Sequence, residues 1–510
     1  MYDVVIIGGG ITGTSIAREL SRYKVKTVLI EERDDVAMGA TKANSAIVHG
    51  GYAEAHAKLK GRLCYKGRTQ FQKLDDELHF GFDPIGSMVL AFDDDQEAEL
   101  EKLLENGKLN GLEDISIIGH DRILELDPNV NPDVKYALYC EGAGVCSPYE
   151  MCIAMMENAI HNGAELFLNT PAIEINKTEE GFDVTSTDER VFSGKYVINC
   201  AGVSADKISA LAGDDSFRIL PRSGEYMLMV RGSGDAFNTV LFQMPTKMGK
   251  GILITPTYHG NLLIGPDAVN EGIADRDTHC ERLLSIYEQA LQTSDKINIR
   301  KFIRSFTGVR PVSSTDDFII KESEAVPGFI NVAGIQSPGL TSSPAIADMV
   351  VHDILPKAGL ELVENPDFDP NRKPIISRKI LEPMSEAMKK VELPLSDPNC
   401  YVCRCEQVSR AVIDDAMSRE IPVTTFDGIK RRTRAGMGWC QGTFCRARVA
   451  AVMSEKLGYE INPGFDIEHS GVNRVGKNEI VDYIESHLKD REYTWRSEDR
   501  RGRKECRSRG

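Results

Sequence analysis

The chain has 510 residues, of which 41% are hydrophobic and 27% charged. That is enough apolar material to bury cores in several domains, and it excludes disorder as the default state. The formal net charge of −16 at pH 7 argues against nucleic-acid binding, which needs clustered Lys and Arg to neutralise phosphates, although a local basic patch can still receive an anionic metabolite.

No run of about 18 apolar residues appears, and the opening Met1-Tyr-Asp-Val-Val-Ile-Ile enters a strand at once, without a basic n-region or cleavage site. A cytoplasmic protein is expected. Of the twelve cysteines, seven are scattered (Cys64, Cys140, Cys146, Cys152, Cys200, Cys280, Cys506) and five crowd between Cys400 and Cys445. In a reducing compartment such crowding points to metal and not to disulfides.

In chain order, residues 3–7 predict a short apolar strand, followed by a Gly-rich turn, a helix from Ile11 to Arg22 and a strand over Lys26–Glu31, a βαβ unit. Further strands are predicted over 82–92, 134–140, 164–170, 182–187 and 226–230, with helices at 96–108 and 149–162, so the class is mixed α/β. Seven prolines between Asp353 and Pro398 mark a linker. A compact module begins near Cys400, with helices expected over Ser409–Arg419, Thr425–Arg434 and Arg446–Leu457. Past Gly458 the chain turns polar, and a basic tail, Arg496–Gly510, is expected to be solvated. There is no internal repeat.

Gly8, Gly10 and Gly13 form G-x-G-x-x-G at the strand-to-helix turn. Missing side chains let the backbone approach a pyrophosphate, and the helix N-terminus favours its negative charge. Glu31 closes the second strand, where a carboxylate can accept hydrogen bonds from ribose hydroxyls. Both FAD and NAD fit this fingerprint. Two later segments favour FAD: the strand Tyr196–Cys200 running into Ala201 and Gly202, and the strand 328–333 running into Gly334. The second is followed by Ser337-Pro-Gly-Leu-Thr-Ser-Ser343 and a helix predicted from Pro344, whose free N–H groups suit a flavin pyrimidine edge that becomes anionic on reduction.

Gly39-Ala-Thr-Lys-Ala-Asn-Ser-Ala-Ile-Val-His-Gly-Gly-Tyr52, Thr307-Gly-Val-Arg-Pro311 and Gly334-Ile-Gln-Ser-Pro-Gly-Leu340 resemble the FAD-dependent glycerol-3-phosphate dehydrogenase and oxidase branch of the D-amino-acid-oxidase-like flavoproteins, which also includes L-2-hydroxyglutarate dehydrogenases. The resemblance implies a Rossmann-like FAD-binding domain in three pieces, about 1–80, 140–215 and 300–355, interleaved with a β-sheet substrate domain of about 81–139 and 216–299. It also implies cofactor contacts at Thr41, Asn44, Gly334, Gly339, Leu340 and Thr341.

Hydride removal from a carbon bearing a hydroxyl needs a base for the O–H proton and a cation that orients the far end of the substrate. His49, with an ordinary pKa of about 6.5, is the candidate base, and Tyr52 is expected to line the pocket. Arg310 matches the arginine that grips phosphate or carboxylate in the resembling family, through its planar fork. Lys250 resembles that family's second phosphate-binding cation, with Lys247 as a competitor. Ser45 and Ser337 are candidate polar lining residues. Two cations suit a dianionic phosphate, which favours glycerol 3-phosphate over the alternative, L-2-hydroxyglutarate or another 2-hydroxy or amino acid.

Cys403-x-Cys405 and Cys440-x₄-Cys445 supply four thiolates in two tight pairs, able to hold Zn²⁺ or an Fe–S cluster. A zinc ribbon usually presents C-x₂-C knuckles, and the C-x-C half departs from that. Gly438-Trp-Cys-Gln-Gly-Thr-Phe-Cys445 and Ile429-Lys-Arg-Arg-Thr-Arg-Ala-Gly436 resemble the bacterioferritin-associated-ferredoxin-like [2Fe-2S] domain, a small helical domain expected over 399–458, after a 356–398 linker and before a 459–510 extension. Cys400 is read as a spectator. Lys430, Arg431, Arg432 and Arg434 either offset the cluster's charge or form a solvated helix face. A two-electron flavin feeding a one-electron centre implies export to a partner electron acceptor and not reaction with O₂; the rival class is a non-catalytic electron-transfer subunit. Any membrane association would run through that partner.

Overall fold

The computed structural model of the chain describes residues 1–244, 251–270, 274–375, 393–464 and 472–488. Strand Tyr2–Ile7 pairs in parallel with Thr27–Ile30 on one side and with Val191–Asn199 on the other, and its run Val4–Ile7 is continuously apolar because both faces are covered, Val4 and Ile6 in one core and Val5 and Ile7 in another. Val4, Val5 and Ile6 are wholly buried. The sheet continues outward through Phe182–Ser186 and Ala172–Lys177 at one edge and Glu165–Phe167 at the other, and Phe329–Ala333 also pairs in parallel with Val191–Asn199. Helix Ile11–Leu20 packs against helices Pro148–His161 and Gly339–Asp348, placing its N-terminus among the carboxyl ends of these strands, where open α/β sheets bind ligands.

A second, eight-stranded sheet is built on the long pair Ile219–Met229 and Phe302–Ser313, in which Arg222 stands opposite Arg310. The single strand expected over 82–92 is two. Phe82–Asp83 joins a three-stranded sheet, while Ser87–Ala91 joins the second sheet. Pro84 between them has no N–H to donate, and Gly86 takes φ +75, so the chain turns from one sheet into the other. The segment expected at 226–230 is only the end of an eleven-residue strand.

The helix expected from Pro344 begins earlier, at Gly339. Proline cannot donate to the carbonyl one turn back; here the Leu340 carbonyl is taken instead by the Ser343 hydroxyl at 2.9 Å, so Pro344 is tolerated inside. Part of the expected linker is strapped to the first sheet's helices: Asn158 donates to Asp369 O, and Arg372 Nε donates to Glu157 Oε2 at 2.6 Å. Past Gly458, helix Lys477–Leu488 inserts Ile480 and Ile484 into the same apolar cluster as Leu283 and Ile286, so this stretch of the extension is structural. The tail Arg496–Gly510 lies outside the described residues.

The module after Cys400 is built on helices Arg410–Ala416, Phe426–Thr433 and Arg446–Leu457 around Ile413, Ile429, Val452 and Met453. Thr425 Oγ1 caps the second by accepting the Gly428 N–H at 3.1 Å, and Arg434 ends it in the left-handed region at φ +67. The short strand pair Tyr401–Cys403 and Val408–Ser409 was not expected from the sequence.

Candidate cofactor and oxidation site

A single cavity of about 1280 Å³ runs from the glycine turn to the second sheet. At the turn the three glycines do different work. Gly8 sits at φ +111, and a Cβ there would meet Cys200 O at 2.5 Å; a Cβ on Gly13 would lie 2.1 Å from Gly8 O. Gly13 therefore serves helix–strand packing and does not border the cavity. Gly10 does, and a Cβ there would fit without a clash, its nearest neighbour being Thr41 Oγ1 at 3.5 Å. The Thr41 hydroxyl accepts the Ile11 N–H at 3.0 Å. Glu31, nearly buried, accepts the Gly9 and Arg33 N–H groups at 2.6 and 2.9 Å. Burial outweighs those amides and raises its carboxyl above the ordinary range. Ala201 and Gly202 border the same cavity. A glycine cradle open to a long cavity with a carboxylate beside it is the donor set that a dinucleotide needs, so these residues fit FAD.

At the far end, His49 and Ser337 face each other with Nε2 and Oγ 3.3 Å apart. The His49 N–H donates to Thr341 Oγ1 at 2.9 Å, and its ring lies 5.9 Å from that of Phe242. Ser45 Oγ is 3.4 Å from Tyr226 Oη, and the Tyr226 ring stacks on Phe306 at 4.7 Å. Asn44 braces its own loop, donating to Thr41 O and accepting the Ala46 N–H. Arg310 reaches the cavity from the long strand, where its Nη2 donates to Asp267 O at 3.2 Å. A Cβ on Gly224 would lie 2.9 Å from that nitrogen, so the neighbouring strand's glycine makes room for the guanidinium.

Besides Gly13, three expectations need correction. Tyr52 does not border the cavity: it is buried against Leu112 and Leu138, its hydroxyl 3.3 Å from Ser87 Oγ, and burial drives its phenol well above the ordinary value. Gly334, at φ +67, turns the chain beneath the cavity, its absent Cβ leaving space for Ser313. Thr341 is wholly buried and acts through His49. Leu340 and Gly339 do border the cavity, whereas Lys247 and Lys250 lie outside the described residues.

In the module, Cys403 Sγ and Cys405 Sγ are 3.7 Å apart. Hydrogen bonds from Cys405 and Cys445 hold the Cys403 thiol far below its ordinary value against burial, and Cys403 with burial pushes Cys405 and Cys445 up. The thiolate is the form that ligates metal. Among the described residues the three ligand-type side chains whose atoms all fall within 4.8 Å are Glu19, Asp348 and His352, not the cysteines. Two sulfurs on one metal stand about 3.8 Å apart, so the Cys403 and Cys405 pair, at 3.7 Å, is spaced to hold a single metal atom between them. Cys400 is engaged elsewhere: its Sγ donates to Leu393 O at 3.3 Å and accepts from Arg448 at 2.9 Å.

The module's cations are not a solvated face. Arg431, Arg432 and Arg434 are each at most 5% exposed. Arg431 and Arg432 converge on Asp35 of the first sheet, and Lys42 pairs with Asp427 at 3.2 Å. Arg434 donates to Glu406 Oε2 and to Asn261 of the second sheet. Lys430, Arg431, Arg434 and Gln441 thus border the same cavity as Gly10 and His49. His259 borders it too, its Nε2 3.1 Å from Oε1 of the buried Glu150; nothing in the local sequence singles out either residue.

The family described as FAD dependent oxidoreductase matches residues 3–352, and the BFD-like [2Fe-2S] binding domain matches residues 401–455. The chain is 43% identical over 476 residues to a glycerol 3-phosphate dehydrogenase of Caloramator mitchellensis, covering 92% of this chain and 97% of that protein. It is 32% identical to a glycerol 3-phosphate oxidase of Mycoplasma genitalium, covering 72% of this chain and 98% of that protein. The dithionite-reduced L-alpha-glycerophosphate oxidase from Mycoplasma pneumoniae with FAD bound superposes with a TM-score of 0.68 at 30% identity, over 73% of this chain and 98% of that one.

Proposed function

The chain belongs to the family of FAD dependent oxidoreductases and carries a BFD-like [2Fe-2S] binding domain, and on that premise we propose that it oxidises sn-glycerol 3-phosphate to dihydroxyacetone phosphate and exports the electrons to a partner protein. The observation that carries this reading is the continuity of the cavity: Gly10 and Glu31 at one end, His49 and Arg310 at the other. The similarity to glycerol 3-phosphate dehydrogenase and oxidase supports the choice of substrate.

FAD would be held by Gly8, Gly10, Glu31, Thr41, Ala201, Gly202, Gly339 and Leu340, and the cluster by Cys403, Cys405, Cys440 and Cys445. When bound, the flavin supplies a two-electron hydride acceptor and the cluster a one-electron one. Arg310 orients the substrate phosphate with the donors left after its bond to Asp267 O, since a guanidinium has five; Lys250 is its proposed second cation. His49 takes the C2 hydroxyl proton at Nε2 as the carbon loses hydride, with Ser337 fixing the ring and Ser45 adding polarity beside Tyr226.

Cys405 is exposed and Cys440 half-buried, so the ligand loop reaches solvent, which supports export to a partner. None of the eleven cysteines among the described residues is in a disulfide. None of the described helices is long and apolar enough to cross a membrane. The test is anaerobic: sn-glycerol 3-phosphate should bleach the flavin absorption of the purified chain. Bleaching by L-2-hydroxyglutarate alone would overturn the substrate, and no bleaching by either would favour a relay subunit.

A further inference from the structure

We propose that Arg222 is a further phosphate-binding residue, meeting the substrate from the strand opposite Arg310. Strand Ile219–Met229 turns Arg222, Tyr226 and Leu228 into the cavity, while Ser223, Glu225 and Met227 between them are buried away from it. In the register with Phe302–Ser313, Arg222 stands directly opposite Arg310, and both residues border the cavity. Like charges facing each other across an antiparallel pair destabilise a sheet, so the arrangement calls for an anion between them.

Among the described residues no carboxylate pairs with either one. Arg222 Nε donates to the neutral Asn270 Oδ1 at 2.6 Å, and Arg310 Nη2 donates to the main-chain oxygen of Asp267 at 3.2 Å. The carboxylate of Asp267 is engaged by Arg282, at 2.7 and 2.8 Å, and by the Glu225 N–H. Each guanidinium therefore spends a single N–H on these bonds and keeps the rest. Two such forks match the oxygens of a phosphate monoester, which carries nearly two negative charges at neutral pH. The inference rests on the substrate proposed above and adds to it the residue that balances the second charge.

The experiment mixes the full chain, with its flavin and cluster, anaerobically with increasing sn-glycerol 3-phosphate. Arg222→Met keeps the side-chain stem and removes the charge. It should raise the half-saturating concentration for flavin bleaching about ten-fold, the worth of one charge-assisted hydrogen bond, and leave the limiting rate within about two-fold, the split expected of a lost binding contact. Inorganic phosphate should weaken as a competitor by a similar factor, and Arg222→Lys should recover part of both losses. Because the substitution also removes a like-charge contact, the substrate-free variant should melt at or above the parent's temperature. An unchanged half-saturating concentration overturns the proposal. So does a lower melting temperature, which would mark a structural role. A parent chain that sn-glycerol 3-phosphate does not bleach would overturn the substrate reading, and this proposal with it.

Discussion

Asp35 and Arg432 meet in a bidentate pair, Nη1 to Oδ2 at 2.6 Å and Nη2 to Oδ1 at 2.9 Å, with each side chain 3% exposed. One lies just past the second strand of the first sheet and the other in the last turn of a module helix. The fork–fork geometry is the strongest that a guanidinium and a carboxylate can make, and Arg431 adds a further bond at 2.6 Å.

Asp35→Ala should therefore be severe. It leaves the buried Arg432 without its carboxylate and Arg431 with Asp427 alone, a loss of about 3–5 kcal/mol where a buried pair is broken from one side. The expected result is a clear fall in melting temperature. If calorimetry finds it unchanged, the pair is not what fastens the module.

His49→Gln should slow flavin reduction about 10²–10⁴-fold, the usual span for a lost general base, while leaving flavin content intact. His49 touches the helix Gly339–Asp348 through its main-chain N–H, which the substitution preserves. Stopped-flow bleaching under anaerobic conditions measures the rate. A rate within about three-fold of the parent would mean that the proton leaves by another route.

The βαβ unit, the cysteine pairs and the helices of the module could be read from the sequence because each is local: an apolar run, a Gly spacing, a close pair of cysteines. What escaped was long-range. Nothing near Arg431 or Arg432 announces that its partner is Asp35, nor does His259 announce Glu150, since a buried ion pair and a solvated charge have the same local sequence. Tyr52 was misplaced because its neighbours His49 and Ser45 do face the cavity, while the turn at Gly51, φ +111, sends it into the core. Ile480 and Ile484, four apart, were a usable helical signal in a stretch that looked merely polar.

The glycines of the turn should separate by substitution. Gly13→Ala drives a methyl to 2.1 Å from a main-chain oxygen, so the helix must shift off the strand, and little folded protein is expected. Gly10→Ala places its methyl at ordinary contact distance, 3.5 Å from Thr41 Oγ1 on the cavity wall, and should fold normally but bind FAD more weakly. Melting curves of the flavin-free proteins, set beside FAD titrations, test the contrast; equal melting temperatures for the two variants would refute it.

Stability should respond to pH through His259. Burial depresses its imidazole below the ordinary 6.5, outweighing the attraction of Glu150. The unfolded chain then holds a proton that the folded chain lacks, so stability rises with pH between the depressed value and 6.5 and is lost as pH falls through that interval. The slope from this one group is at most about 1.4 kcal/mol per pH unit. His259→Gln should flatten the melting-temperature profile below 6.5; a profile parallel to the parent's would assign the slope to other groups.

Cys440→Ser separates the two halves of the proposed electron path. The ligand loop carries its own fold: Gln441 Nε2 donates to Met437 O and Gly438 O, and the Cys440 carbonyl accepts from Thr443 Oγ1 at 2.7 Å. A serine oxygen at residue 440 leaves those bonds in place while removing one of four thiolates, and Fe–S clusters rely on cysteine sulfur. Iron and acid-labile sulfide should drop, and reduction of a one-electron acceptor protein should fail. Bleaching of the flavin by sn-glycerol 3-phosphate should persist at near the parent rate, because His49, just past strand Ile47–Val48, and Arg310, on strand Phe302–Ser313, lie outside the module. Loss of bleaching with FAD still bound would mean that the cluster takes part in substrate oxidation itself, and the division of labour argued from the cavity would be wrong.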